Sequence, residues 1–389
     1  MSRLTLSAAV LGALALIAAL IVFVVLPPRV DRAMNAVTPH APYAVSDEAA
    51  ALHAAIPVAD LHADTLLWRR DPTKRNARGQ TDIPRLIEGG VAVQVFTAVT
   101  KTPRGQNYEE NEAGTDDITL LAIAQGWPVR TWGSLEERAR YQAERLHRAA
   151  KDDARLTVVR RRSDLEAVLA RRRAGEPALA GILGTEGAHP LEGDIAAVER
   201  LFADGYRVMG LQHFFDNELG GSLHGTSGAG LTGFGQAAVA EMDRLGIVID
   251  VAHSSEAVVR DVLAQTDRPL IVSHTGFEGH CSSPRNVSDA TMRAITEGGG
   301  LIGVGFWADV TCDASPAGIA DAIAYGIAAF GEDRIALGSD FDGTVTTSLD
   351  ASELAALTQA LLDRGLTETQ VRKVMGENAV RFFLATLPA

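Results

Sequence analysis

Cysteine is scarce in this chain. Two in 389 residues are too few for a disulfide-dense scaffold or a four-cysteine zinc site. Aromatic residues make up only 5%. A basic surplus is absent as well: 36 Lys and Arg against 49 Asp and Glu leave a net charge of −13. A nucleic-acid binder needs basic patches to neutralise phosphates, so this balance argues against that class. There is no low-complexity tract and no internal repeat beyond a strand–helix alternation. What is present is an ordinary globular composition, 47% hydrophobic and 22% charged. The length suits one large domain or two smaller ones.

One apolar run stands apart. Leu4 to Leu26 carries no charge and only Thr5 and Ser7 as weakly polar interruptions. At about 1.5 Å rise per residue it gives a helix of about 35 Å, enough for a bilayer core of about 30 Å. Pro27-Pro28 is expected to end that helix, because proline lacks the backbone donor. A cleaved signal peptide and an uncleaved signal anchor compete for this segment. The core is long, and Val24-Val25-Leu26-Pro27 is a poor cleavage site, which favours the anchor. A large domain behind a single such anchor is expected outside the cytoplasm, in the periplasm of a bacterium. The expected organisation is an anchor over residues 1–28, a tether over 29–46 and a folded domain over 47–389.

Eight short runs rich in Val, Ile and Leu follow: Val58–Leu61, Val91–Val99, Ala180–Leu183, Arg207–Leu211, Ile247–Val251, Leu270–Val272, Leu301–Phe306 and Ile335–Leu337. Most are continuous rather than alternating, as strands buried on both faces of a parallel sheet require. Helical patterns lie between them, at Ile195–Asp204, Gly235–Leu245, Glu256–Gln265 and Asp289–Glu297. Eight βα units predict a closed (β/α)8 barrel of the TIM type. Residues 100–179 are the longest gap, and their basic stretch Leu135–Asp152 reads as a solvated helical excursion. Glu368–Leu384 reads as a helix on the barrel exterior.

Polar residues gather where the runs end. The first is followed by His62-Ala63-Asp64, and side chains two apart in a strand share a face. Glu186 follows the third run, His213 the fourth, His253 the fifth and His274 the sixth. Asp340 and Asp342 follow the eighth. Barrels of this type carry their active sites at these strand ends. Taken singly, a histidine there is more often structural, and an Asp-x-Asp-Gly often just holds a turn. Taken together, so many polar groups at one rim are too costly to be independent accidents. His40, His53 and His147 fall in the tether or on surface helices, and His189, His224 and His280 in loops, where a structural role is expected. Imidazoles and carboxylates without thiolate clusters suit zinc or another borderline divalent ion. The set exceeds what one catalytic ion needs and suits two ions sharing a carboxylate, with a bridging water ionised between them.

The same residues carry a resemblance. Asp60-Leu61-His62-Ala63-Asp64, Gly184-Thr185-Glu186-Gly187, Leu211-Gln212-His213 with Asn217, Val251-Ala252-His253-Ser254 and Val272-Ser273-His274 occur in this order. Pro284-Arg285-Asn286 with Asp289, Gly338-Ser339-Asp340-Phe341-Asp342-Gly343 and Gly376-Glu377-Asn378 with Arg381 complete the set. In these the chain resembles the membrane dipeptidase family (renal-dipeptidase-like, peptidase family M19) of the amidohydrolase superfamily. The resemblance implies a dipeptidase with two zinc ions: His62 and Asp64 on one, His253 and His274 on the other, Glu186 bridging. It implies that Asp340 exchanges the proton of an attacking metal-bridging hydroxide. His213 would stabilise charge on the scissile carbonyl, and Arg285 would clamp the substrate's terminal carboxylate. It further implies that Cys281 and Cys312 can be bridged, that dipeptides with a C-terminal D-residue are substrates to test, and that a homodimer is the expected assembly. The loop from Trp307 to Cys312 is shorter than in the mammalian relatives, whose aromatic residue there helps bind substrate. The rival readings are a metal-dependent hydrolase of another amide or lactone, and an inactive membrane-tethered binding module. The second is disfavoured because every expected ligand is present.

Overall fold

The computed structural model describes residues 3–389; Met1 and Ser2 of the expected anchor lie outside the described residues. Among the described residues there are nine strands: β1 Val58–Ala63, β2 Val91–Val99, β3 Leu156–Val158, β4 Leu179–Glu186, β5 Tyr206–Gly210, β6 Val248–Asp250, β7 Ile271–Thr275, β8 Leu301–Val304 and β9 Ile335–Leu337. All pairings between them are parallel, in the order β2-β1-β9-β8-β7-β6-β5-β4. Pairing of β2 with β4 from Val93↔Ala180 to Val99↔Glu186 closes the ring. The eight-stranded barrel predicted from the apolar runs is therefore present. β3 is the ninth strand and had no apolar run to announce it. It pairs with the start of β4, below the point where β5 joins the same edge.

Each of the eight barrel strands contributes to one apolar cluster near the strand starts, through Ala59, Val93, Ala180, Val208, Val248, Ile271, Leu301 and Ala336. Ala379 and Phe383 of the helix Asn378–Thr386 belong to the same cluster. The C-terminal helix thus plugs the amino-terminal end of the barrel instead of lying on its exterior. The opposite end is left for the polar residues.

Two other expectations change. Helix does not stop at Pro27-Pro28. Residues Arg3–Leu20, a π turn at Ile21–Val25 and Leu26–Met34 run on as one rod. The prolines take the second and third positions of Leu26–Met34, directly after the π turn, which already loosens the ladder. Pro27 would have bonded the carbonyl of Phe23; Arg69 Nη1 donates to that oxygen instead, at 2.9 Å. The region expected to be a tether is docked on the barrel. Asp31 is buried against Arg70 and Arg78, with N···O distances of 3.1 and 2.7 Å. Thr38 and Ala36 exchange backbone bonds with Thr347, and Tyr43 Oη donates to the carbonyl of Ser348. Leu11–Met34 is long and apolar enough to cross a membrane.

Helix Leu135–Asp152 is not a solvated excursion either. One face buries Arg138, Ala139, Gln142, Ala143 and Leu146. Arg138 donates to the carbonyls of Thr100, Thr131 and Trp132 and to Asp116. Arg145 donates to those of Leu66, Trp68 and Arg70. Arginines that bury their stems and bind main-chain oxygens hide an inward face behind a charged sequence.

Candidate metal centre

The carboxyl ends of the strands deliver the predicted residues to one buried pit. His62 lies on β1, Glu186 ends β4 and His274 lies on β7; Asp64, His213, His253 and Asp340 follow β1, β5, β6 and β9. All seven are at most 6% exposed. Glu186 is the hub. Its Oε1 lies 3.2 Å from His253 Nε2, 3.3 Å from His274 Nε2 and 3.6 Å from His62 Nε2. Its Oε2 lies 3.2 Å from His213 Nε2. His62 Nε2 is also 3.6 Å from Asp64 and 3.9 Å from Asp340. The Nε2 atoms of His253 and His274 are 3.0 Å apart.

These distances can be weighed against a metal. Ligands held about 2.1 Å from a tetrahedral ion lie about 3.4 Å from one another. The observed separations bracket that value. His62 Nε2 and Asp340 Oδ1 are moreover buried without any hydrogen-bond partner, a costly state that a cation between them relieves. Among the described residues three groups of potential ligands satisfy the geometry: His62, Asp64 and Glu186; Glu186, His213 and His253; and His62, His274 and Asp340. The donor set therefore fits bound metal.

Electrostatics agree. Burial opposes charge on His62, but Asp64, Glu186 and Asp340 outweigh it and hold its pKa up at about 10. The pit thus demands positive charge. Burial pushes Asp340 well above the ordinary carboxylate range, opposed by His62 and reinforced by Glu186 and Asp64. Burial also raises Glu186, but His213, His253 and His274 overcome it and bring it well below its usual value. His253 and His274 are kept neutral chiefly by burial, then by Arg285 and His62 respectively.

Surrounding groups fix the ligands. Ser273 Oγ lies 3.0 Å from His62 Nδ1 and 2.9 Å from His274 Nδ1, so one hydroxyl orients both rings. Asp250 Oδ1 accepts from the backbone of Ala252 and of Ser273, tying the ends of β6 and β7 together. Thr97 Oγ1 donates to Asp64 at 2.6 Å. Asp340, Asp342 and Thr344 all adopt left-handed backbone, with φ of 59°, 64° and 67°. This strained loop is pinned by Asp342, which accepts from the backbone of Gln80 and from Thr81 Oγ1 and is ion-paired with Arg70 at 2.7 Å. Glycine is required at 343, since a Cβ there would stand 1.9 Å from Asp340 Oδ1.

Arg285 is 1% exposed. It donates to the carbonyls of Ala252 and His274 and reaches to 3.3 Å from His253 Nε2. Five guanidinium donors leave some over for a ligand. Cys281 and Cys312 form a disulfide that joins the loop before Arg285 to the segment after β8. Trp307 and Tyr108 line the cavity over these groups, and the indole donates to the phenol oxygen at 3.0 Å. Tyr108 carried no signal in the sequence, because it sits in a polar loop far from any strand end. The other histidines stay outside the pit. His53 is buried in a helix, bonded to Thr358 and Gly89, rather than exposed on a surface. His189 stacks on Phe215, and His224 bonds the carbonyl of Tyr108.

A parallel (β/α)8 barrel with imidazoles and carboxylates convergent at its carboxyl rim defines a metal-dependent hydrolase of the barrel class. The chain belongs to the membrane dipeptidase family, peptidase family M19, whose model matches residues 46–386; by that membership it is a metallo-dipeptidase. Solved structures agree. Dipeptidase AC, a metallopeptidase of family M19, is 26% identical with a TM-score of 0.68, covering 86% of this chain and 99% of its own. A metallopeptidase from Rhodobacter sphaeroides, bound to a phosphinate mimic of the dipeptide L-Ala-D-Ala, is 26% identical with a TM-score of 0.66, covering 85% and 99%. An amidohydrolase from Pseudomonas aeruginosa shares the fold at 24% identity and a TM-score of 0.68, covering 87% and 98%.

Proposed function

We propose that the protein is a membrane-anchored, zinc-dependent dipeptidase that acts on dipeptides, including those with a D-residue in second place. The observation that carries this reading is the convergence of three imidazole Nε2 atoms on one Glu186 oxygen. His62 and Asp64 would hold one zinc, His253 and His274 the other, with Glu186 shared. That partition follows the family resemblance, since the distances by themselves also admit His213 and Asp340. Bound zinc supplies an electrophile for the carbonyl and an ionised water at neutral pH.

The chain's own groups do the rest. Arg285 binds the free carboxylate of the second residue, and burial makes that ion pair selective for a ligand that replaces lost water. A longer peptide has no carboxylate at that distance. His213 donates to the carbonyl oxygen as the tetrahedral intermediate forms. Asp340 Oδ1 takes the proton of the attacking water and returns it to the leaving nitrogen. A water oxygen–carbon bond forms, the carbon–nitrogen bond breaks, the second water proton passes to the amine, and an ammonium and a carboxylate leave. A carboxyl group at the rim beside the ligands suits this two-way proton exchange. A D-residue in second place is proposed from the likeness to the Rhodobacter enzyme and its ligand.

The segment over residues 1–28 is proposed to be an uncleaved anchor, with the barrel outside the cytoplasm. The support is the buried Asp31 and the Arg69 bond to Phe23, which tie the rod to the barrel. The test uses the full chain with metal content measured, and Ala-Ala and Ala-D-Ala as substrates. Chelator abolishes turnover and zinc restores it; Asp340→Asn retains metal and loses about 100-fold or more in kcat. Chelator-insensitive turnover, or an active Asp340→Asn enzyme, refutes the mechanism.

A further inference from the structure

A cavity of about 340 Å³ shares no lining residue with the metal pit. Arg69, Arg70, Arg145 and Arg148 line it, and Trp127 and Tyr141 form its aromatic wall. Charge in this recess does not balance. Arg70 is taken up by Asp31 and Asp342, and Asp71 at the edge by Lys74, 2.9 Å away. That leaves Arg69, Arg145 and Arg148 against one carboxylate, Asp152. Among the described residues none of these three arginines has a carboxylate within ion-pair distance. Arg69 and Arg145 donate only to uncharged main-chain carbonyls. Burial pushes the Arg145 guanidinium down to about 10, and Arg70 and Arg148 add to it. Uncompensated guanidinium charge so placed favours an anion with several acceptor oxygens.

The recess stands beside the membrane-length helix. Arg69 Nη1 donates to the carbonyl of Phe23 at 2.9 Å. Phe23 lies one turn or less before Leu26, where the apolar run ends, about 4.5 Å along the helix axis. A bilayer spanned by that run has its phosphates at this level. A second observation marks the same side. Among the described residues, the exposed large apolar side chains outside the rod are Leu120, Val129 and Trp132, at 60%, 71% and 38%. All three belong to the segment that brings Gln125 and Trp127 to the recess. That segment is packed on the rod, where Val30 joins the apolar cluster of Ile118, Ala122 and Trp127. Exposed apolar tips beside unpaired arginines, on a chain whose net charge is −13, form a local surface suited to a lipid interface.

We propose that this recess binds the phosphodiester of an anionic phospholipid, with Leu120, Val129 and Trp132 seated in the leaflet beside it. The proposal rests on the anchor reading, because the inserted span is what brings a bilayer to the recess. Three arginines against one acid select a headgroup of net negative charge over a zwitterionic one, whose ammonium they repel. Bound lipid holds the barrel against the membrane instead of letting it swing on the rod.

The experiment uses the full chain. In dodecyl maltoside it is titrated with dioctanoyl phosphatidylglycerol, dioctanoyl phosphatidylcholine and inorganic phosphate, and the melting temperature is read. Phosphatidylglycerol is expected to raise it by about 3 °C or more at saturation, and the other two by less than a degree. Arg148→Gln, at an exposed and unpaired position, should raise the half-saturating concentration about fivefold or more. Asp152→Asn, which removes the opposing acid, should lower it. An equal response to both lipids overturns the proposal without recourse to any variant. An equal response to inorganic phosphate means a site for free anions and overturns it as well. So does a half-saturating concentration unchanged in both variants. In vesicles of phosphatidylglycerol brominated near the headgroup end of its acyl chains, the fluorescence lost in Trp132→Phe should be quenched in the wild type; an unquenched Trp132 places the patch in water and refutes the seating. Insertion into phosphatidylcholine vesicles without any phosphatidylglycerol preference leaves the anchor reading standing, whereas a chain that inserts into neither lipid overturns both.

Discussion

Ser273→Ala removes one oxygen from the base of the metal centre and nothing else. The hydroxyl is fully buried and lies 3.0 and 2.9 Å from the Nδ1 atoms of His62 and His274. When cations occupy both Nε2 positions, both Nδ1 atoms carry protons, and Oγ accepts from both. Deleting it loses two hydrogen bonds, each with a net worth of about 0.5–1.5 kcal/mol. The sum, about 1–3 kcal/mol, is about 5- to 150-fold in metal affinity. The backbone is spared, because the Ser273 amide bonds Asp250 independently of the side chain. Since the two rings are proposed to serve different ions, both binding steps should weaken. Competition with a chromogenic chelator at fixed pH, followed by titration calorimetry, measures this directly. A variant that binds both ions within twofold of the wild type would falsify the claim that this hydroxyl orients the ligands.

Other expectations follow from the same structure. Arg70→Met leaves Asp31 and Asp342 each short of a buried partner, so stability should fall by about 3 kcal/mol or more. Thermal unfolding checks it, and a melting temperature within a degree of the wild type contradicts the network. The Cys281–Cys312 bridge closes a loop spanning 31 positions, for which chain entropy gives about 3–4 kcal/mol. The double Ser variant should lose much of that in urea unfolding, and an unchanged midpoint would show that the bond constrains little. Burial depresses His189 to about 3, with His213 and Lys101 adding to it. Its unfolded value is near 6.5, so protons bind the unfolded chain first and stability is lost as pH falls from about 6.5 toward 3. His189→Phe keeps a stack on Phe215 and should shallow that acid slope; an identical slope would exclude His189 as a contributor.

Sequence by itself determined the barrel. Strands buried on both faces must be continuously apolar, and eight such runs were visible without any structure. It also determined which residues reach the rim, because a strand's last inward side chains have nowhere else to point. His62, Asp64, Glu186, His213, His253, His274 and Asp340 were all legible for that reason. Periodicity could not show β3, three residues long and only partly buried. Nor could it show that Arg138 and Arg145 face inward, since charge reads as surface until main-chain acceptors are seen. Prolines at 27 and 28 read as a stop because the compensating donor, Arg69, is distant in sequence. Only tertiary structure decided that Ser273 serves two rings, that Tyr108 and Trp307 roof the pit, and that the N-terminal helical rod walls a cavity beside it. Those are contacts between segments far apart in the chain, and a linear pattern records what each segment buries but not what it is buried against.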